Sequence, residues 1–434
     1  MSATTFANYD YVTRQLNMRL INVKTGILEE FWGGKKPKYA ILSHTWGPEE
    51  VTFTQVQQFS ALKDGQAVYE TQAVHLPGFA TPQASLVQRS IESKAGYTKI
   101  KMACQQAGKD GFQYIWIDTC CIDKSSSAEL SEAINSMYDW YRDAEIAYAY
   151  LEDVQNKDDK EALATSRWFT RGWCLQELLA PKQIIFFGKD WLYLGTKDTL
   201  VKKISDITGI TSDSLFGHYT MQVEPIAKKM AWASKRNTTR VEDMAYCLLG
   251  IFNVHMPLLY GEGHGAFQRL QEEIIKSSSD ETIFAWHEGL DSKYPRSRSS
   301  SVGILASSPR NFADSKNVEI SMIREGRTEI VTPYMITNRG LQMELQLMPY
   351  QPPPGVHGFS SNRERDLFVG VLQCTSGALL GGREDRFGIL LWRHTSKPLY
   401  YRWRYERMDI TSVQQVDANG LHKIPKQQIF LAIR

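Results

Sequence analysis

Four short apolar runs constrain this chain more than any other feature of its sequence. They are Tyr39-Ala-Ile-Leu42, Tyr114-Ile-Trp-Ile117, Ile146-Ala-Tyr-Ala-Tyr-Leu151 and Gln183-Ile-Ile-Phe-Phe187. Each is too short for a buried helix, and none alternates apolar with polar residues. Strands covered on both faces read this way. The first run stops at Ser43-His-Thr-Trp-Gly47 and the second at Asp118. A buried central strand ends so where its carboxyl tip opens into a loop.

Helical patterns separate the runs. Tyr97 to Gly111 places Ile100, Ala103, Cys104 and Ala107 on one face and stops at Gly108-Lys-Asp-Gly111. Ser126-x-x-Glu129 has capping-box spacing, and the helix after it carries Ile134, Met137, Tyr138 and Tyr141 on one face. Arg167 to Leu178, RWFTRGWCLQEL, reads as helical from Gly172. Trp173 and Glu177 then share one side, while Leu175, Leu178 and Leu179 face a core. Strand, helix, strand, helix, strand predicts an α/β fold with a parallel sheet flanked by helices on both faces. Met18 to Val23 adds a short strand, and Glu49 to Pro82 reads as a loop excursion with short helices.

Further along, Val201 to Gly209 and Ile226 to Arg236 read as a helical extension. Thr239-x-x-Glu242 has capping-box spacing before Met244, Ala245, Leu248 and Leu249. Gly261-x-Gly263-x-Gly265 precedes a last helix, Ala266 to Ser277. A basic, serine-rich stretch, Leu290 to Ser301, looks like a linker. Beyond it the pattern is all β: Glu329–Tyr334, Leu341–Leu347, Leu367–Cys374, Phe387–Arg393, Leu399–Tyr405 and Gln428–Ile433, with Pro352-Pro-Pro354 in a long connection. The expected organisation is an α/β domain with its helical extension over 1–288, a linker over 289–302, and a separate C-terminal all-β, sandwich-like domain over 303–434.

Composition narrows the function classes. The 434 residues suffice for two or three domains. Fifty Lys and Arg against 48 Asp and Glu give a net charge of +2. That balance argues against a dedicated nucleic-acid or membrane-surface protein. Six cysteines without a CxxC pair form no disulfide framework at this length. The N-terminus lacks an apolar h-region, and no run of eighteen apolar residues occurs. A reduced, soluble, cytoplasmic protein without a membrane span is expected.

Candidate chemistry gathers at the strand tips. Glu177, near Trp168, Phe169 and Trp173, is either a carboxylate at an aromatic pocket rim or a surface acid paired with Arg171 or Lys182. Ser43, His44 and Trp46 follow the first central strand, where open parallel sheets bind ligands; alternatively His44 is a satisfied loop histidine and Trp46 a core anchor. Asp118 and Asp123 flank Cys120 and Cys121 without metal-site spacing, and His255 and His264 do not complete one. Asp118 fits a helix cap or loop-ordering role. Cys120 or Cys174 with His44 as base lacks a group to orient the base. The glycine loop lacks the lysine of a P-loop and the strand of a dinucleotide fingerprint, so a helix-entry turn accounts for it better.

Three segments together, Tyr39 to Gly47 (YAILSHTWG), Tyr114 to Lys124 (YIWIDTCCIDK) and Arg167 to Leu178 (RWFTRGWCLQEL), resemble the fungal heterokaryon-incompatibility (HET) domain. Pro257 to Gly263 with Ala266 to Ile274 looks like the continuation found in many such proteins. Thr337-Asn-Arg-Gly-Leu341 is similar to a segment that follows some of them. HET domains are in turn similar to TIR domains, so the resemblance implies a TIR/flavodoxin-like sheet. The order of strand, Ile-Asp loop, capped helix, strand and Trp-Cys-Leu-x-Glu-Leu parallels the plant TIR order. There the glutamate is the catalytic acid of an NAD⁺-cleaving enzyme, and the matching residue is Glu177. His44-Thr-Trp-Gly47 stands in place of the TIR Phe-Arg-Gly.

The resemblance implies an NAD⁺ glycohydrolase in regulated cell death, active on self-assembly into a homo-oligomer and downstream of a sensor or regulatory protein. NAD⁺ is then substrate, with no cofactor and no metal. Ser43, His44, Trp46, Asp118 and Trp173 are the expected substrate contacts, with Trp46 or Trp173 stacking on the nicotinamide. Cleavage passes through an oxocarbenium-like state. Nicotinamide leaves neutral, so one well-placed carboxylate suffices. A non-enzymatic death-signalling adaptor, or another nucleotide-binding or hydrolytic enzyme using the same cleft, stand as alternatives.

Overall fold

The computed structural model describes residues 18–32, 36–60, 88–216, 223–287, 301–321, 333–351, 365–375, 386–403 and 424–433. The chain divides into two compact units, Met1–Trp168 with Glu177–Leu200, and Phe169–Gln176 with Val201–Arg434.

The first unit holds a seven-stranded sheet of β1 (Met18–Asn22), β2 (Leu28–Phe31), β3 (Tyr39–His44), β4 (Tyr114–Trp116), β5 (Ile146–Tyr150), β6 (Ile184–Phe187) and β7 (Tyr193–Thr196), in the order β2-β1-β4-β3-β5-β6-β7. The four runs read from sequence are β3 to β6, and they pair in parallel. Antiparallel strands extend the sheet at both edges: β1 on β4, β2 on β1, and β7 on β6. The parallel sheet is therefore the middle of a mixed one. All six residues of β3 are buried, as a central strand covered on both faces requires. The chain steps from β3 to β4 on one side and then to β5 on the other. The strand order reverses there, at the carboxyl ends of β3 and β5, where open α/β sheets form ligand crevices.

α1 (Ala95–Lys109) buries Ile100, Ala103, Cys104 and Ala107, the face its spacing predicts. Before α2 (Ser127–Asp143), Ser126 accepts the Glu129 N–H at 3.3 Å. The reciprocal half of the box is used otherwise: Glu129 accepts the Asp123 N–H at 2.7 Å and pairs with Arg19. α3 (Cys174–Leu179) starts two residues later than the expected Gly172, so Trp173 precedes the helix instead of sharing a side with Glu177. Residues 53–60 are helical, whereas the rest of the expected excursion, 61–87, lies outside the described residues.

In the second unit the Thr239–Glu242 box does not form. The helical turn begins at Asp243 with no side-chain cap. Thr239 instead accepts from Arg171 at 3.1 Å. The Glu242 carboxylate accepts the N–H groups of Gly261 (2.8 Å) and Gly263 (3.1 Å). The glycine loop thus meets an internal anion before α4 (Gly265–Ser277), in keeping with a helix-entry turn.

The C-terminal strands are β8 (Ser301–Val302), β9 (Glu319–Ile320), β10 (Met335–Thr337), β11 (Gly340–Pro349), β12 (Arg365–Thr375), β13 (Arg386–His394), β14 (Leu399–Trp403) and β15 (Lys426–Leu431). They form one sheet, β10-β11-β15-β14-β13-β12-β9, with β8 on β14 and β11 also paired to β12. That last pairing closes β11-β15-β14-β13-β12 into a ring, so the domain is barrel-like and not the expected sandwich. β11 pairs with β15 over Leu341 to Gln346 and with β12 over Gln346 to Pro349, changing partner along its length. Its alternating Leu341, Met343, Leu345 and Leu347 are buried. The linker expected over 289–302 lies outside the described residues apart from β8, and Pro352–Pro354 lies outside them entirely.

Gly96 of α1 fixes the loop that follows β3. A Cβ there would stand 2.6 Å from the Glu49 carbonyl oxygen and 2.8 Å from the Glu50 Cα, both backbone atoms. Overpacking of this kind costs on the order of 1–3 kcal/mol. Gly96→Ala is therefore expected to lower the urea unfolding midpoint of the chain. A midpoint equal to or above that of the wild type would show that the 49–51 loop yields freely.

Candidate functional site

The last two residues of β3 are polar, and strand alternation sends their side chains to opposite faces of the sheet. Ser43 is fully buried. Its hydroxyl donates to Glu177 Oε2 and accepts from the Trp168 indole N–H at 2.8 Å. Trp168 is itself completely buried, edge-on to Phe186 at 5.7 Å between ring centroids. Glu177, on α3, is 7% exposed. Its carboxylate is thus a buried group held at the tip of a central strand, not a solvated surface acid.

His44 points the other way, into a group of alternating charges. Its Nε2 lies 3.8 Å from Asp118 Oδ1 and 3.9 Å from Glu50 Oε2, beyond hydrogen-bond reach. Among the described residues neither ring nitrogen has a hydrogen-bond partner, nor does Glu50 Oε2. Lys99 pairs with Glu50, and Lys124 Nζ stands 3.7 Å from Asp118 Oδ2. Burial, reinforced by the Lys99 ammonium, pushes the imidazole down to about 4, so it is neutral near pH 7. Burial alone would raise Asp118; Lys124, His44 and the Trp46 N–H together bring it below its ordinary value.

Trp46 completes this face. Its indole N–H donates to Asp118 Oδ2 at 2.8 Å, and the Lys124 ammonium sits 3.4 Å from its ring centroid. The ring is still 47% exposed, an aromatic plate fixed by one hydrogen bond and one cation. Asp118 opens the short helix Asp118–Cys121 at the end of β4, so it orders this loop as the sequence suggests.

Of the residues singled out from sequence, Ser43 and Glu177 are in direct contact, and His44, Trp46 and Asp118 form the neighbouring charged group. Trp173 belongs to the second unit, where its indole donates to Asp243, which also accepts the Tyr260 hydroxyl at 2.9 Å. Sequence reasoning missed Glu50, Lys99 and Lys124, and the donor role of Trp168. Glu50 and Lys99 come from separate segments outside the quoted motifs, Lys124 closes the segment Tyr114 to Lys124 without anything there tying it to His44, and Trp168 is conspicuous only as one aromatic among several. Cys120, Cys121 and Cys174 are all buried. Burial raises the Cys120 thiol, and His44 faces carboxylates, so the cysteine–histidine option has no support. Among the described residues, no group of three or more His, Cys, Asp or Glu side chains is arranged to hold a metal ion.

A cavity of about 250 Å³ lies elsewhere in this unit, lined by Ile21, Val51, Phe59, Ile91, Tyr97 and Ile100 among others. It is mainly apolar, with Lys24 and Lys101 as its charged lining residues and no acid in that lining. The polar chemistry, not this volume, marks the candidate site.

Residues 39–161 match the family described as heterokaryon incompatibility protein (HET), and residues 265–382 match a domain of unknown function, DUF8212. Over 252 residues the chain is 46% identical to the vegetative incompatibility protein HET-E-1 of Podospora anserina, a match covering 56% of this chain and 16% of that protein. The chain therefore corresponds to a small part of its relative. No solved structure matches it. No helix among the described residues is long and apolar enough to cross a membrane.

The buried His44 makes stability depend on pH. Its folded-state value near 4 lies below the ordinary 6.5, so the unfolded chain binds the proton more tightly. Stability present above pH 6.5 is lost as pH falls towards 4. Between pH 7 and pH 5 the expected loss is about 2 kcal/mol, by linkage at ~1.4 kcal/mol per unit. Urea unfolding of the wild type and His44→Gln at both pH values tests this. The variant should lose distinctly less stability, and equal losses would remove His44 as the cause.

Proposed function

Starting from the heterokaryon-incompatibility domain that this chain carries over residues 39–161, we propose that it acts in fungal incompatibility and regulated cell death as an NAD⁺ glycohydrolase. Glu177 is its catalytic carboxylate. The observation that carries this reading is the buried Glu177 carboxylate, accepting from Ser43 at the carboxyl edge of the parallel strands. Two further features support it. The parallel strands run β4-β3-β5-β6, and second-first-third-fourth is how flavodoxin-like sheets begin. The similar Podospora anserina protein is named for vegetative incompatibility.

The chemistry asks little of the protein beyond placement. As the nicotinamide–ribose bond breaks, positive charge develops on the ribose and the base departs neutral. A carboxylate near that charge stabilises it strongly when water is excluded, because fixed charges act more forcefully in a low-dielectric site. Glu177 has the burial for this role. With Glu177 only 7% exposed, a substrate needs an opening, and we assign that opening to self-assembly in the cytoplasm. The C-terminal barrel-like domain is then the part that meets an upstream partner.

The same low exposure gives the adaptor reading its one specific support, since an assembly surface needs no access to Glu177. NAD⁺ consumption by the purified chain, followed by chromatography at low and high protein concentration, separates the two. Glycohydrolase activity should rise more steeply than protein concentration. In Glu177→Gln it should fall by about 10²–10³-fold, the scale seen when one key electrostatic group is removed. Absence of turnover in assembled wild-type protein would favour the adaptor.

A further inference from the structure

We propose that Trp168 and Ser43 form a one-way donor relay that positions Glu177, so that Ser43 is a positioning residue and not a substrate contact. The inference rests on the reading of Glu177 as the catalytic carboxylate.

The direction of the relay follows from the donor inventory. An indole N–H can only donate. Trp168 Nε1 lies 2.8 Å from Ser43 Oγ, so the serine oxygen must accept there. The hydroxyl has a single proton, which goes to Glu177 Oε2. Ser43 is fully buried, so no solvent competes for that proton. Its hydroxyl keeps no proton with which to bind a ribose. The expected substrate contact is already committed inside the protein.

The start of the relay is equally fixed. Ser166 donates to Asp153 Oδ1 at 2.7 Å and accepts the Trp168 backbone N–H at 3.3 Å. The Arg167 N–H donates to Asp153 Oδ2 at 2.8 Å. Asp153 thus holds the turn that presents the indole, while Phe186 of β6 packs against the ring edge-on. At the other end, Ser43 is set by its register opposite Ala149 on β5. An indole held by a turn and a hydroxyl held by a central strand fix the position and direction of the donor that Glu177 Oε2 meets. Donation to the carboxylate also favours its ionised form, opposing the cost of burying a charge.

The relay is tested first without turnover. In the full chain labelled with ¹⁵N-tryptophan, the Trp168 indole resonance is identified by its absence from Trp168→Phe. It is expected to move in Glu177→Gln and to follow the protonation of Glu177 as pH falls. Both responses should vanish in Ser43→Ala and return in Ser43→Thr, which keeps the hydroxyl. A Trp168 resonance indifferent to Glu177→Gln, or one that responds equally in Ser43→Ala, overturns the relay.

Turnover supplies the second readout. The acid limb of kcat/KM for NAD⁺ should shift upward by about one pH unit in Ser43→Ala. A smaller upward shift is expected in Trp168→Phe and none in Ser43→Thr. An unshifted limb in Ser43→Ala would overturn the positioning role. If the wild type consumes no NAD⁺, that failure falls on the glycohydrolase reading alone, and the indole resonance still decides the relay.

Discussion

Complete burial of β3 is the constraint from which the rest of the first unit follows. A strand covered on both faces has no water for its polar side chains, and β3 ends in two of them, Ser43 and His44. Each must be accommodated within the protein or its burial is costly. Strand alternation puts them on opposite faces, so two solutions are needed. On one face the hydroxyl is inserted between an indole donor and a carboxylate. On the other the imidazole is kept neutral among two acids and two lysines whose charges offset one another. Only the smaller cost of two ring nitrogens without a hydrogen-bond partner among the described residues is then left.

The second unit deals with buried polar groups by internal ions as well. Glu242 supplies the anion for the amides of Gly261 and Gly263, and donation from its own N–H and from those two holds its carboxyl below the usual range. Arg402 lies within the barrel-like domain, donating to the carbonyls of Phe284 and Trp286 with its guanidinium 3.7 Å from the Trp286 ring. Glu281 accepts the Gln373 N–H at 2.8 Å. Sequence patterns that suggest ligand sites, a glycine loop above all, are here filled from within.

What the sequence disclosed, and what it withheld, divides by range. The runs that became β3 to β6 were legible because burial on both faces leaves an unbroken apolar string. β2, Leu-Glu-Glu-Phe, and β7 are half-exposed edge strands with no such string, and their pairing partners alone make them strands. Ser126 capped its helix as its spacing suggests, yet Glu129 was drawn away by Arg19, 110 residues distant in the chain. Thr239 and Glu242 were each taken by a partner outside the box. Sandwich and barrel share the same alternation within each strand, and only the pairing of β11 with β12 decides between them. In the site, Glu177 and Ser43 could be read from their places at a helix face and a strand tip. The surrounding Glu50, Lys99 and Lys124 could not, because nothing local ties them to His44.

On the glycohydrolase reading, the neutrality of His44 has a purpose beyond stability. NAD⁺ brings a cationic ring, and bond cleavage moves that positive charge onto the ribose. An imidazolium in the residue adjoining Ser43 would oppose both states by like-charge repulsion, more strongly in a buried site than in water. The fold prevents this by burial first and by the field of Lys99 second, which together outweigh the nearby carboxylates of Asp118 and Glu50. Those carboxylates are in turn engaged by Lys124 and Lys99. The charged group on the far side of β3 therefore contributes little net field of its own at this strand tip.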